Sequence, residues 1–295
     1  MIEVCLDAQG VPVTEVGQKV VKTPNSLTVN LPVDDGDIKM LSEMIQKSSR
    51  PVLLIGGGLS RQACRDLLPL IETMRIPVMT TWNAADRIDS SNYLYFGRPN
   101  TWGQRSSNMI IQHADLVIAA GTRLGLQQTG FNWNEFVPNG DVVQIDIDSS
   151  ELSKGHPKIS LGICGDAQQV LNQVLKKNAK TPDWSKWINY ARHIRDELPL
   201  SESINDQFKD FINPFDFALT LSSLCSDGDT VIPCSSGGAF TVMMQAFNQQ
   251  GGQIMITNKG LASMGYGLAG AIGASLADRS RRTVLVEGDG GFSQN

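Results

Sequence analysis

The sequence predicts an α/β protein built from two parallel-sheet units, each with three α/β/α layers. Short, continuous apolar runs such as PVLLI (51–55) and DLVIAAG (115–121) are typical of buried parallel strands. They alternate with helical patterns, as right-handed crossovers between parallel strands require. The alternation restarts near Pro214, so we expect one unit over residues 37–178 and a second over residues 211–295.

The first unit opens with a helix, because DIKMLSEMIQKSS places its apolar residues on one helical face. Ser60 is positioned to cap a second helix that runs to Met74. A third helix, DAQQVLNQVLKK (166–177), closes the unit. The predicted strands are PVLLI, IPVMTT, DLVIAAG and DVVQIDID (141–148).

The second unit follows a polar, tryptophan-bearing segment over 179–210 that we interpret as a surface linker helix. Its predicted helices are NPFDFALTLSSLC, FTVMMQAF and MGYGLAGAIGASLA. Its predicted strands are TVIPC, QIMIT and TVLVE (283–287), the last of which leads into GDGG (288–291). Residues 1–36 predict only a short strand and an extended linker.

Composition excludes several classes of function. The 295 residues carry a formal net charge of −5 and no basic block, which argues against nucleic acid as the main partner. The five cysteines form no CxxC pair and no metal-like spacing with the three histidines, so we expect reduced thiols in a cytoplasmic protein. No apolar run is long enough to span a bilayer, and no signal-peptide pattern is evident.

Glycines and charged residues at strand ends predict a ligand groove in the first unit, because ligands bind beyond the carboxyl ends of parallel strands. The three glycines at 56–58 either let a ligand approach the backbone or simply form a tight turn. Arg123 could meet a phosphate, and Asp146 or Asp148 could accept hydrogen bonds from ribose hydroxyls. The alternative is that these carboxylates cap the elements that follow them.

The turn at 288–291 is a second candidate site. The carboxylate of Asp289 could hold Mg²⁺, and neighbouring N–H groups could hold phosphate oxygens that the metal bridges. The alternative is a plain Asp-Gly turn, which is common.

Upstream, GYGLAG (265–270) matches G-x-G-x-x-G, with Glu287 about 20 residues after it, as in dinucleotide-binding sites. Because these glycines lie among alanines in a helical stretch rather than at a strand end, we expect close packing and no dinucleotide there.

The motifs, taken in chain order, resemble one enzyme family. RPVLLIGGGLS, IPVMTTWNAADRI, FGRPNTWGQRSSN, ADLVIAAGTRLG and VVQIDIDSSEL resemble the central domain of thiamine-diphosphate-dependent enzymes, most closely the acetolactate synthase (acetohydroxyacid synthase) group. INPFDFALTLS, TNKGLASMGYGLAGAIGASLA and VLVEGDGGFSQN resemble the family's diphosphate-binding domain. The resemblance covers residues 36–295. MIEVCLDAQ resembles the last strand of the family's pyrimidine-binding domain, so residues 1–36 are expected to be its tail and a linker.

The resemblance implies roles for particular residues. Asp289 matches the aspartate that ligates Mg²⁺, and Met264 matches the apolar residue that props thiamine diphosphate in a bent conformation. Ala262, where the family usually has glycine, would offer its backbone carbonyl to the aminopyrimidine. The other implied diphosphate-binding positions are Ser235, Ser236, Gly237, Gly238, Gly288, Gly290 and Gly291. The positions that match the FAD groove are Gly56, Gly57, Gly58, Gly121, Arg123, Asp146 and Asp148; related enzymes hold ADP or nothing there.

The function implied is that of a thiamine-diphosphate- and Mg²⁺-dependent 2-keto acid decarboxylase or carboligase that works as a homodimer or homotetramer. The family's second Mg²⁺ ligand, a downstream asparagine, and its activating glutamate have no counterpart in these 295 residues. We therefore expect the 295-residue chain alone neither to hold the cofactor tightly nor to turn over substrate. Two alternatives stay open. One is another decarboxylase of the family, of oxalyl-CoA or benzoylformate type, and the other is a non-catalytic protein that binds a nucleotide in the central domain.

Overall fold

The structure, a computed structural model, describes residues 32–207, 210–233 and 236–294. Its first sheet has five strands, all parallel, in the spatial order β2-β1-β3-β4-β5. They are β1 (Pro51–Ile55), β2 (Val78–Thr80), β3 (Leu116–Ala120), β4 (Asp141–Asp146) and β5 (Leu161–Cys164). Strands β1 and β3 are buried along their whole length, as their continuous apolar sequences predict.

Two groups of helices flank this sheet. The helices are α1 (Asp35–Lys47), α2 (Arg61–Met74), α3 (Arg105–His113), α4 (Leu126–Thr129), α5 (Ser149–Ser153), α6 (Ala167–Lys177) and α7 (Ser185–Glu197), with 3₁₀ turns at Trp82–Ala84, Trp133–Glu135 and Ser203–Gln207. Helices α1 and α2 pack against α6, and α3 packs against α7. Ser60 caps α2 as predicted, because its hydroxyl accepts a 3.0 Å hydrogen bond from the Ala63 N–H.

Helix α7, expected as a surface linker, is packed into the core of the first domain. Trp184 and Trp187 are buried, and their indole N–H groups donate to the carbonyls of Ser48 and Pro51, both at 3.0 Å. Ile188 is also buried on this face. The helix is therefore fixed to the start of β1.

The second sheet has three parallel strands in the order β7-β6-β8. The elements of this second domain are α8 (Pro214–Leu224), β6 (Thr230–Pro233), α9 (Gly237–Ala246), β7 (Ile254–Met255), α10 (Tyr266–Ala277), β8 (Thr283–Val286) and α11 (Asp289–Phe292). Two parallel sheets with flanking helices confirm the predicted α/β class.

The two domains share buried contacts. Trp82, which follows β2, is buried in the apolar core of the second domain and meets Phe240 edge to face, with ring centroids 5.2 Å apart. The buried guanidinium of Arg98 donates to the Phe247 carbonyl at 2.6 Å, and Gln104 donates to the Gln245 carbonyl at 2.7 Å. These bonds hold the end of α9 against the first domain.

Among the helices of the described ranges, none combines the length and the apolar character needed to cross a bilayer.

Candidate functional site

Three loops of the second domain meet at one edge of its sheet. Strands β6, β7 and β8 are parallel neighbours, so the segments that follow them all leave from their carboxyl ends. Pro233 pairs with Val286, and Ser236 and Asp289 each lie three residues beyond that pair. The loop at 236–238 and the turn at 288–291 are therefore adjacent, as a shared diphosphate site requires. Ser235, which was predicted to contribute, lies outside the described residues.

The turn after β8 presents its carboxylate to solvent. Gly288 precedes the short helix α11, and Asp289 is its first residue, with an exposed side chain. A Cβ at Gly288 would have open space around it. Asp289 is thus accessible to a metal ion and is not buried in apolar packing.

The start of α9 is open in the same way. Gly237 has a φ of +76°, a backbone conformation that favours glycine, and both Gly237 and Gly238 are exposed. No other atom lies within 4 Å of where a Cβ would stand on either residue. The first N–H groups of a helix have no partner within the helix, and this N-terminus therefore suits an anion.

The third loop brings Met264 onto the glycine turn. A Cβ built on Gly290 would stand 3.3 Å from the Met264 methyl group, and the Gln294 side-chain amide lies 3.9 Å from its sulfur. Met264 is 49% exposed. Ala262 has a φ of +50°, and its N–H donates to the Asn258 carbonyl at 2.8 Å. Met264 is therefore in contact with the turn that carries Asp289.

These residues fit a metal-bridged diphosphate. The described residues contain no cluster of three or more His, Cys, Asp or Glu side chains that could hold a metal by themselves. Mg²⁺ is commonly held through one or two carboxylates together with phosphate oxygens of a ligand. One exposed carboxylate beside two open glycine segments matches that requirement.

Gly267 of GYGLAG serves packing within the second domain. Gly267 lies in α10, and a Cβ there would overlap Oε2 of Glu287. A Cβ on Gly291 would overlap Oε1 of the same carboxylate. The Glu287 side chain therefore lies between α10 and the glycine turn. Its spacing of about 20 residues from GYGLAG, which resembles that of a dinucleotide-binding site, corresponds here to a packing contact with Gly267.

The first domain carries a cleft of about 950 Å³ beyond the carboxyl ends of β1, β3 and β4. Strand β2 lies on one side of β1 and β3 lies on the other, so the strand order reverses direction at β1. The cleft is therefore at the topological switch point of the sheet. Ligands of open parallel sheets bind at such points. Residues that line the cleft include Gly57, Gly58, Gly121, Arg123, Gln128, Asp146, Glu151, Lys154, Asp166 and Lys259.

The strand-end glycines of this cleft allow two backbone segments to approach each other. A Cβ on Gly56 would overlap the Gly121 carbonyl, and one on Gly58 would stand 2.8 Å from the Gly121 Cα. The Gly58 N–H donates to the Gly121 carbonyl at 2.9 Å. Gly121 itself has a φ of +65°. Gly57, Gly58 and Gly121 reach the cleft, whereas Gly56 packs behind it.

The charged residues predicted for this groove divide into two groups. Arg123 is exposed and Asp146 is 9% exposed, and both line the cleft. Asp148 caps α5: it accepts from the Ser150 N–H at 2.9 Å and from the Ser150 hydroxyl at 2.6 Å, and these bonds lower the pKa of its carboxyl. The capping alternative therefore describes the contacts of Asp148, and it applies in part to Asp146, whose Oδ1 accepts the Asp148 N–H at 3.0 Å.

Several cleft residues were not predicted from the sequence, among them Gln128 and Lys259. Gln128 is 8% exposed; its amide nitrogen donates to the Pro99 carbonyl at 2.5 Å, and its buried Oε1 has no partner within the described structure. Lys259 comes from the second domain. Neither belongs to a strand-end glycine or carboxylate pattern, so only the tertiary fold reveals them.

Comparison with known proteins gives a consistent result. The family model described as "Thiamine pyrophosphate enzyme, central domain" matches residues 38–174, and "Thiamine pyrophosphate enzyme, C-terminal TPP binding domain" matches residues 236–295. The chain thus belongs to the thiamine pyrophosphate enzymes, with both of these domains represented.

Within that family the chain is similar to large subunits of acetolactate synthase. It is 28% identical to the enzyme from Corynebacterium glutamicum over 99% of this chain and 46% of that protein. It is 30% identical to the chloroplastic enzyme of Arabidopsis thaliana over 90% of this chain and 39% of that protein. It is 28% identical to a "probable acetolactate synthase large subunit" of Methanococcus aeolicus over 88% of this chain and 45% of that protein. The chain spans less than half the length of these relatives.

Proposed function

We propose that the chain is part of a thiamine-diphosphate- and Mg²⁺-dependent 2-keto acid decarboxylase or carboligase of acetolactate synthase type, working as a cytoplasmic homo-oligomer. The observation that carries this proposal is the shared sheet edge where the exposed Asp289 lies beside the open glycines at 237–238 and in reach of Met264. The family assignment of both domains supports it.

Each residue has a role that its position allows. The Asp289 carboxylate would ligate Mg²⁺, and N–H groups of Gly237, Gly238 and Gly290 would bind the diphosphate oxygens. The Met264 side chain would support thiamine diphosphate in its bent conformation. The Ala262 carbonyl would accept a hydrogen bond from the aminopyrimidine ring of the cofactor. The bound cofactor supplies a carbanion-forming centre for 2-keto acid chemistry.

A calorimetric titration with thiamine diphosphate and Mg²⁺ tests this function. We expect weak, Mg²⁺-dependent binding that Asp289→Asn removes. The matched control is Asp227→Asn, since Asp227 is also exposed but precedes β6 and so lies at the opposite edge of the sheet. Binding that is equal in wild type and Asp289→Asn would refute the proposed metal ligand. Micromolar affinity of wild type would contradict only the expectation that these 295 residues bind weakly.

We also propose a nucleotide, FAD or ADP, as the ligand of the central cleft. The observation that favours it is a cleft at the sheet's switch point that combines an exposed Arg123, a nearly buried Asp146 and the buried, unpartnered Oε1 of Gln128. A guanidinium suits a phosphate, and carbonyl or carboxylate oxygens suit ribose hydroxyls or base N–H groups. The absorbance spectrum of the purified protein identifies FAD, and a titration with ADP tests the alternative.

A further inference from the structure

Lys259 connects the two candidate sites. It lies on the segment that follows β7 and also carries Ala262 and Met264. Together with Gly260 it extends the lining of the 950 Å³ cleft, whose other walls come from the first domain. It also lines a smaller cleft of about 520 Å³ with Arg61, Trp82 and Asn83. A ligand in the larger cleft would therefore touch the loop of the second domain that serves the thiamine site.

No carboxylate among the described residues forms an ion pair with the Lys259 ammonium group. Its Nζ lies 5.2 Å from the centre of the Trp82 ring, a distance at which the ring face attracts a cation. The other lysine of the cleft, Lys154, pairs with Glu151 at 2.8 Å and donates to the Arg123 carbonyl. Lys259 is thus a cation held by a ring face rather than by a carboxylate.

We propose that Lys259 is an anion-binding residue of the central cleft, and that a nucleotide phosphate bound there fixes the loop at 256–264. The inference rests on the nucleotide cleft proposed above, and it adds a contact that makes nucleotide binding span both domains. An occupied cleft would then order the backbone around Ala262 and Met264 before thiamine diphosphate binds. By linkage, the two ligands would favour each other.

The electrostatics support this role. Burial lowers the pKa of Lys259 to about 8. At neutral pH the side chain is therefore protonated in most molecules, and its charge has no counter-charge among the described residues. A phosphate beside the ammonium would stabilise the charged form and raise that pKa. The charged groups that line the same two clefts are Arg61, Arg123, Asp146, Glu151, Lys154 and Asp166. Glu151 is paired with Lys154 and Arg61 with Asp86, so Arg123 and Lys259, one from each domain, are the cations lining these clefts that form no ion pair among the described residues.

ADP titrations of the full 295-residue chain test the inference. We expect Lys259→Met to weaken ADP binding about tenfold, the usual effect of losing one charge-assisted hydrogen bond. Lys259→Arg should keep most of the affinity, because it keeps the charge. The matched control is Lys176→Met, an exposed lysine at the far end of α6 that should bind ADP like wild type. Circular dichroism melting checks that each variant is folded.

Two further measurements separate a binding role from a structural one. Between pH 7.5 and 9.5 the phosphates of ADP stay ionised. The wild-type affinity should therefore fall as the pH rises through about 8, where free Lys259 loses its proton, while the Lys259→Arg profile stays flat. Hydrogen exchange should show that ADP protects the amides of 256–264 in wild type and not in Lys259→Met.

Unchanged ADP affinity in Lys259→Met, or no ADP binding by wild type, would overturn the inference. The thiamine assignment is independent of either outcome, because it is tested with another ligand and with Asp289.

Discussion

The Asp86 carboxylate of the first domain accepts a 2.9 Å hydrogen bond from the backbone N–H of Met255, the last residue of β7. The Asp86 side chain is 1% exposed and forms ion pairs with Arg61, at 2.6 Å, and with Arg87. Arg61 also reaches the Met255 carbonyl at 3.4 Å. A buried ion cluster of one domain therefore fixes the strand of the other domain from which the Ala262–Met264 loop departs.

Replacing this carboxylate should destabilise the chain. We expect Asp86→Asn to lower the free energy of unfolding by about 2–3 kcal/mol, because it leaves two guanidinium groups without their counter-charge. Arg61 is partly exposed, so its guanidinium recovers some hydration in the variant, and this limits the loss of unfolding free energy. Denaturant unfolding measures it. Asp278→Asn is the control, since the exposed carboxylate of Asp278 accepts hydrogen bonds from neighbouring Ser280. An equal effect in both variants would show that the cluster contributes nothing.

Two glycines of helix α10 should respond to alanine with opposite signs. Gly273 has open space around it, so Gly273→Ala should stabilise the helix by about 1 kcal/mol. Gly267→Ala should destabilise by about 1 kcal/mol, because its Cβ overlaps the Glu287 carboxylate that Gly291 confines from the other side. Thermal or denaturant unfolding compares the two variants.

A second mutation identifies the cause. In a Glu287→Ala background the Gly267→Ala change should become stabilising, like Gly273→Ala. If it stays destabilising there, the overlap with Glu287 is not the reason.

The features that the sequence predicted are those encoded within a few consecutive residues. A continuous apolar run followed by glycine or aspartate marks a buried parallel strand and its carboxyl end, so β1, β3, β4 and the turn at Asp289 were predictable. Strand β5 was missed because it lies at the sheet edge, is mostly not buried, and contains Gly162. Its sequence shows neither a continuous apolar run nor clear alternation.

Features that depend on contacts between distant segments were not predictable. Helix α7 has a polar composition, yet Trp184 and Trp187 at its start pack into the first domain's core, where the carbonyls of Ser48 and Pro51 satisfy their indole N–H groups. Lys259 reaches the central cleft because contacts between the domains, among them that of Asp86 with β7, hold its segment next to the first domain. No local pattern encodes either contact.

The backbone at Ala262 favours glycine. Its φ of +50° lies in the left-handed region, which costs an alanine about 1–2 kcal/mol. Ala262→Gly relieves that strain but gives the unfolded chain more freedom, so we expect a net gain of about 0.5–1 kcal/mol. Ala274→Gly, inside α10, should instead cost about 1 kcal/mol. Denaturant unfolding of the two variants measures the contrast, and a loss of stability in Ala262→Gly would contradict the strained conformation.

Asp148 should matter for stability and not for nucleotide binding. Its carboxylate caps α5 through Ser150, so Asp148→Ala should lower the free energy of unfolding while ADP affinity stays at the wild-type value. Because these bonds lower the pKa of Asp148, the stability difference between wild type and Asp148→Ala should be complete at neutral pH. It should shrink as the pH falls through the lowered pKa of the folded state, because the protonated carboxyl still accepts hydrogen bonds but loses the part of the cap that depends on its charge. Asp148→Asn is the control: asparagine caps helices equally well but has no charge to titrate. Unfolding from pH 2 to 7 tests the stability, and a fall in ADP affinity for Asp148→Ala would instead make this carboxylate a ligand of the cleft.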